Sequence, residues 1–260
     1  MIQYIVSHFG EFFPKINEIF GAGFLIFVRL LGFMRFCPGF QRKELPANIK
    51  IGFAVMFTIL LIGVLKPSPI PPDSSLVFSV IINYIFGALL SFIAYCLIST
   101  VEAGGDMINT QMGMSSATVL DPSTSGQVSI MGKLMGLVGL LIFFNIGGMY
   151  WVLNAFIRSF EVFPMYGTSI PLNEVLNIDY LIKLTSNILY IGLQFAAPVL
   201  IATLGQDVIL GIISKTAPQI NVFQLSFLFK PILGALLLYL LMPTMFSVIS
   251  DFFLTYANIF

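Results

Sequence analysis

Few side chains in this sequence are equipped for chemistry, and their spacing limits what that chemistry is. The single histidine, His8, lies near the start with no obvious partner. An exposed or interfacial imidazole accounts for it better than catalysis does. Cys37 and Cys96 both fall inside apolar runs, which reads as buried thiols rather than a disulfide framework. No His, Cys and Asp residues cluster at metal-ligand spacing. No Walker-type phosphate loop is present, and Gly21-Ala22-Gly23 before an apolar run is helix-packing material. The chain is therefore expected to carry no catalytic residue, no metal and no cofactor.

The remaining candidates are charges embedded in apolar sequence. Glu102 and Asp106 are four residues apart, so on a helix they share a face. They make either a cation or proton site or, the preferred reading, an ordinary helix end with acids paired to bases on a neighbour. Gly104 and Gly105 between them weaken the helix. Asp207 and Arg29 lie deep in apolar segments, where an unpaired charge is expensive. Both are candidates for buried pairing, with each other or with another subunit; Asp207 is alternatively neutral or beside water.

Glu102 and Asp106 open a stretch unlike the rest of the chain. Residues 102–130 hold three acids (Glu102, Asp106, Asp121), no base, and many Gly, Ser, Thr and Met. Met107, Met112, Met114, Met131 and Met135 cluster around it. Methionine is flexible and polarizable, which suits a surface that must seal and then deform; gap filling explains any single one equally well. A long insert of small residues inside a membrane-type chain is where a pore, a gate or a substrate site is expected.

The elements that must position these residues are apolar helices. Mean hydropathy is +0.98, 58% of the 260 residues are hydrophobic and only 9% are charged. A soluble domain carries about a quarter charged residues, so the membrane class is expected. Formal net charge is zero, which leaves no basic face for nucleic acid. The N-terminus lacks the basic region and cleavage pattern of a removable signal and reads as a short amphipathic or half-apolar lead-in. Six segments are long enough, or nearly so, for about 20 residues per span: Ile19 to Cys37, Ile49 to Leu65, Leu76 to Val101, Leu134 to Ile157, Asn187 to Ile213 and Gln224 to Ile249. Proline-rich breaks separate them, most strongly the run from Lys66 to Asp73. Pro198 interrupts the fifth segment, and Pro231 and Pro243 the sixth. Such segments suit helices packed in protein better than helices crossing lipid alone. Gly132, Gly136 and Gly139 place small residues on one face of the fourth segment, for packing rather than for a hinge.

Arg35, Arg42, Lys43, Lys50, Lys133, Lys215 and Lys230 gather at the first, third and fifth loops; Lys15, Lys66, Arg158 and Lys183 gather at the lead-in and the even loops. That bias puts the odd loops on the cytoplasmic side and both termini outside.

Three blocks resemble one family. The run from Leu210 through Ala217-Pro218-Gln219-Ile220-Asn221-Val222-Phe223 closely resembles a signature of the R subunit of the type III secretion export gate, the FliR family of flagella with SctT in injectisomes. Phe27-Val28-Arg29-Leu30-Leu31-Gly32-Phe33-Met34, followed by Pro38 and Leu45-Pro46, is similar to its N-terminal pattern. Gln111-Met112-Gly113 and Asp121-Pro122 match within the insert. The flagellar branch fits better, although Leu225 to Lys230 resembles the injectisome branch.

This resemblance implies an all-α membrane-type protein of about six long hydrophobic helices, arranged as helical hairpins in a hetero-oligomeric, pore-like gate. Residues 1–186 would be a part like the P subunit, including a plug loop at 102–130, and residues 187–260 a C-terminal hairpin like the Q subunit. The implied partners are the P and Q subunits, the B and A subunits of the apparatus, unfolded export substrates and membrane lipid. The implied location is the bacterial inner membrane, in the flagellar basal body. The plug would hold ions and small molecules back until a substrate displaces it. Its sealing residues would be Gln111, Met112, Gly113, Met114, Ser115, Ser116, Ala117, Thr118, Val119 and Leu120. Arg29, Gly32, Pro38, Pro46, Asp121, Pro122, Asp207, Pro218, Gln219, Asn221 and Phe223 would carry the family motifs and subunit packing. Against this non-enzymatic export role stands a small-solute or ion transporter coupled through Glu102, Asp106 and Asp207, for which the inverted repeats common in such folds are not seen. A structural nucleator that seats other subunits without lining the pore is a third reading.

Overall fold

Proline and glycine divide the apolar sequence into helices whose length exceeds what hydropathy alone marks out. The computed structural model describes residues 2–40, 45–65, 76–114, 129–166 and 178–257, and every regular element among them is a helix. In chain order these are α1 (Ile2–Phe36), α2 (Ala47–Val64), α3 (Leu76–Gln111), α4 (Ile130–Asn145), α5 (Gly148–Val162), α6 (Ile178–Thr216) and α7 (Val222–Ala257). Five are long and apolar enough to cross a membrane, or six if α4 and α5 count as one broken span.

Four boundaries differ from the hydropathy reading. The N-terminal lead-in is helical and continuous with the first apolar segment. α3 runs on through Glu102 to Gln111, so the first third of the expected loop is helix. The fourth segment is two helices: Gly147, at φ 81°, donates its N–H to Phe144 O at 3.1 Å and closes α4, as glycine does just past a helix end. α6 and α7 extend past both ends of their segments and run through Pro198, Pro231 and Pro243 without stopping. A proline inside a helix deletes one backbone bond and crowds the preceding turn, and here the long flanking helices carry on past it.

Two compact units share these elements: Met1–Tyr95 with Tyr150–Ile178, and Cys96–Met149 with Asp179–Ile259. In the first, α1 and α3 meet backbone to backbone. A Cβ on Gly32 would run into the Tyr84 carbonyl, and one on Gly87 into the Arg29 carbonyl. Close crossing through small residues is the packing expected of apolar helices. Around the crossing Phe33 lies 4.8 Å from Phe156, ring to ring, and Phe86 stacks on Phe163 at 4.2 Å. α2 lies against α1 where Gly23 receives Ile62. Its outer side, with Ile59, Leu60 and Val64, is exposed on the chain.

In the second unit the end of α3 packs with α4, α6 and α7. A Cβ on Gly104 would stand 2.8 Å from the Gly192 carbonyl of α6, and one on Gly139 of α4 would stand 3.2 Å from Val101. Phe143 meets Phe253 edge to face at 5.8 Å, joining α4 to α7. α6 and α7 form a hairpin tied by Asn187 Nδ2, which donates to Tyr256 OH at 3.1 Å. Cys37 and Cys96 are both buried free thiols.

Candidate functional site: the root of the insert

The expected loop leaves α3 at Gln111 and returns at Ser129, and both ends are built from helix-end chemistry. Ser129 caps α4: its Oγ accepts from Gly132 N–H at 2.9 Å. That satisfies one of the amides a helix start leaves open. Asn109 Oδ1 accepts from Met131 N–H at 3.4 Å, so a side chain of α3 serves a second amide of the same turn. The Asp106 carboxylate abuts Gly132 so closely that any side chain there would collide with it. A negative charge beside the first turn of a helix opposes the positive end of its dipole.

Gly105 makes this approach possible. A Cβ on it would stand 2.6 Å from Met131 O and 2.9 Å from Gly132 Cα. The paired glycines that weaken α3 on paper therefore bring it against α6 through Gly104 and against α4 through Gly105. Glu102 is half-buried between Asp106 and Lys133, the first repelling and the second attracting it. Both acids thus lie against the first turns of α4, from within α3 rather than at the helix end that the sequence reading expected. Gly132, Gly136 and Gly139 face Asp106, Glu102 and Val101 in turn, which is packing.

Of the methionines, Met112 and Met135 are each only 1% exposed and fill the core of this unit. Met107, Met114 and Met131 are half-buried. Gln111 is the last residue of α3, and Met112 N–H donates to Ile108 O at 2.9 Å, continuing the helical pattern one step. Gly113 then turns the chain at φ 74°. Ser115, Ser116, Ala117, Thr118, Val119, Leu120, Asp121 and Pro122 lie outside the described residues.

The two embedded charges find different partners. Arg29 is wholly buried. Its Nε donates to Asn83 Oδ1 at 2.8 Å, one terminal nitrogen to Ser159 O and Ser159 Oγ at 3.1 Å each, and the other to Phe163 O at 2.9 Å. The guanidinium also lies 4.0 Å from the centre of the Phe160 ring. These partners are neutral, and two of them are carbonyls at the C-terminal end of α5, where the helix dipole is negative. Asp207 is bridged instead by Lys230 at 2.8 Å, across the α6–α7 hairpin, with both side chains partly exposed. The pairing of Arg29 with Asp207, one of the alternatives read from hydropathy, is replaced by these contacts. Asn83, a lone amide in an apolar run, was the visible signal for the Arg29 network; Lys230 gave no sign of its partner, which lies one helix away.

The remaining motif residues are turn makers. Pro38 and Gly39, with φ 90°, end α1, where Phe40 N–H reaches Cys37 O at 3.0 Å. Pro46 starts α2, its carbonyl accepting from Ile49 N–H at 3.1 Å. Pro218 follows the end of α6, and Asn221 caps α7 by accepting from Gln224 N–H at 3.3 Å. The signature is thus the chemistry of a tight helical hairpin. Gln219 and Phe223 are exposed, Phe223 at 73%, with Phe227 stacked edge-on at 4.7 Å.

The model of the family described as bacterial export proteins, family 1, matches residues 20–256. The flagellar biosynthetic protein FliR of Bacillus subtilis is 28% identical over 92% of this chain and 93% of its own. FliR of Escherichia coli is 27% identical over 83% and 82%. The surface presentation of antigens protein SpaR of Shigella flexneri is 26% identical over 88% of each. With the family model covering Arg29, the root of the insert and the hairpin signature alike, this chain belongs to the FliR family of bacterial export proteins.

Proposed function

We propose that this chain is the R subunit of a flagellar type III export gate, a non-catalytic membrane component that helps to form and to seal the channel for unfolded flagellar proteins. The observation that carries the reading is the family match along nearly the whole chain, residues 20–256. The flagellar relatives FliR of Bacillus subtilis and Escherichia coli are similar over 92% and 83% of the chain. The P, Q, A and B subunits of the apparatus are its partners, and the bacterial inner membrane at the flagellar basal body is its location. Residues 1–186 serve as the part like P and 187–260 as the part like Q.

Gln111 to Leu120 contribute the plug. Support for that role comes from the root: a Gly turn at Gly113 leaving a firmly packed helix, and a capped helix waiting at Ser129. Both described ends of the segment are thereby fixed to packed helices. The transporter reading, with Glu102, Asp106 and Asp207 as coupling carboxylates, is not favoured by the export family that the chain matches.

The test is deletion of residues 113–123 in a gate assembled by co-expression with candidate P and Q subunits, its composition checked by mass. Ion leak through the closed gate should rise while export is partly retained. A deleted gate as tight as the intact one would refute the plug.

A further inference from the structure

Met112, the residue directly after α3, has a buried, unbranched side chain, and α7 carries a glycine where that side chain lies. A Cβ on Gly234 would stand 2.6 Å from Met112 Cγ and 2.7 Å from its Sδ and Cε. Glycine is a poorer helix former than alanine, and Gly234 occupies the interior of a 36-residue helix at a buried position. The three heavy atoms nearest to that position all belong to Met112. One residue later the chain turns at Gly113, whose N–H bonds to Thr110 O at 3.1 Å. The direction in which the chain leaves α3 is therefore set by a Met112 side chain seated in α7 and a left-handed turn directly after it.

We propose that Gly234 is a positioning residue, and that the Met112–Gly234 contact is a latch holding the end of α3 in its resting orientation. Its effect on sealing rests on the plug reading above; the latch itself rests on the packing of Met112. The contact suits release. It involves no hydrogen bond and no ion pair, and a thioether side chain leaves and re-enters a slot by rotation about its own bonds. The anchors on the other side of the root, Asn109 to Met131 N–H and Gly105 on the Met131 carbonyl, hold α3 against α4 independently of it.

The assembled gate tests the latch through ion leak, with complex mass as the control for assembly. Gly234→Leu expels Met112 and should raise the leak several-fold toward that of the 113–123 deletion. The double variant Met112→Ala with Gly234→Leu should return it to near the wild-type level, because the new side chain fills the vacated slot. A general packing defect would not be rescued by a second truncation. Should Gly234→Leu fail to assemble, Gly234→Ala takes its place, with a smaller rise expected. Paired cysteines, Met112→Cys with Gly234→Cys, should cross-link on oxidation in the resting gate, since a Cβ on Gly234 would stand 2.6 Å from Met112 Cγ, one bond from the Met112 Cβ. A Gly234 variant that stays tight while the deletion leaks, a double variant that leaks as much as the single, or cysteines that do not cross-link would each overturn the latch. A deletion that does not leak overturns the plug instead, and the cross-link then still reports on the latch.

Discussion

Arg29 Nε donates to Asn83 Oδ1 at 2.8 Å, and Asn83 Nδ2 donates onward to Met165 O at 2.9 Å, so one amide couples a buried cation on α1 to the chain just beyond α5. The same guanidinium reaches Ser159 O and Phe163 O. Its charge is balanced by carbonyl dipoles and a ring face rather than by a carboxylate. A planar, forked cation with five donors is the side chain that can serve so many oxygens at once.

Arg29→Ala should therefore cost about 3 kcal/mol of stability, since it strands several buried acceptors and leaves a cavity. Arg29→Lys should be nearly as damaging, because a compact ammonium cannot span the same oxygens. Thermal unfolding of the detergent-extracted subunit, read by the loss of helical signal, checks both. A lysine variant as stable as the parent would show that charge alone suffices.

The α1–α3 crossing is a second point of failure. Gly32→Ala places a methyl against the Tyr84 carbonyl, a backbone atom that cannot rotate away. Overpacking of this kind costs about 1–3 kcal/mol, and Gly32→Val should exceed it. Gly52 and Gly63 have open space where a Cβ would go, so alanine at either should be neutral or mildly stabilising. Melting temperatures of the four variants side by side measure the contrast.

Asn221 holds the start of α7 with one side-chain bond. Asn221→Ala should lose about 1 kcal/mol, and Asn221→Asp or Asn221→Ser should retain most of it. Local hydrogen exchange over the first turn of α7 is the direct readout: faster in the alanine variant, near parental in the other two.

The Asp207–Lys230 bridge links the two arms of the C-terminal hairpin. For a pair this exposed, a coupling energy of about 0.2–1 kcal/mol is expected. A double-mutant cycle with Asp207→Asn and Lys230→Met should return that range, and the charge-swapped pair should be close to parental. A much larger coupling would mean that the surroundings of the pair are drier in the membrane than on the isolated chain.

Much of the architecture is legible from the residues alone. Proline runs and apolar lengths located six segments, and glycine spacing located the packing faces of α4, because lipid-like composition and small-residue periodicity are local properties. The Ala217 to Phe223 signature identified the family for the same reason: a tight hairpin needs particular residues at particular places.

Tertiary packing decided what local chemistry left open. Gly104 and Gly105 argue against a helix when read singly, yet α3 continues through them because Gly192 and Met131 occupy the room they leave. The break at Gly147 depends on a left-handed backbone that composition does not reveal. The partners of Arg29 and Asp207 lie dozens or scores of residues away in the first case and on the neighbouring arm of a hairpin in the second. Which of two embedded charges meets which partner depends on how helices are set side by side, and hydropathy carries no record of that. The sequence by itself determined the apolar segments, the family and the place of the insert; only the folded chain decided that the root of the insert is held by Asn109 on Met131 and by the Met112–Gly234 contact, because those contacts join residues that no periodicity brings together.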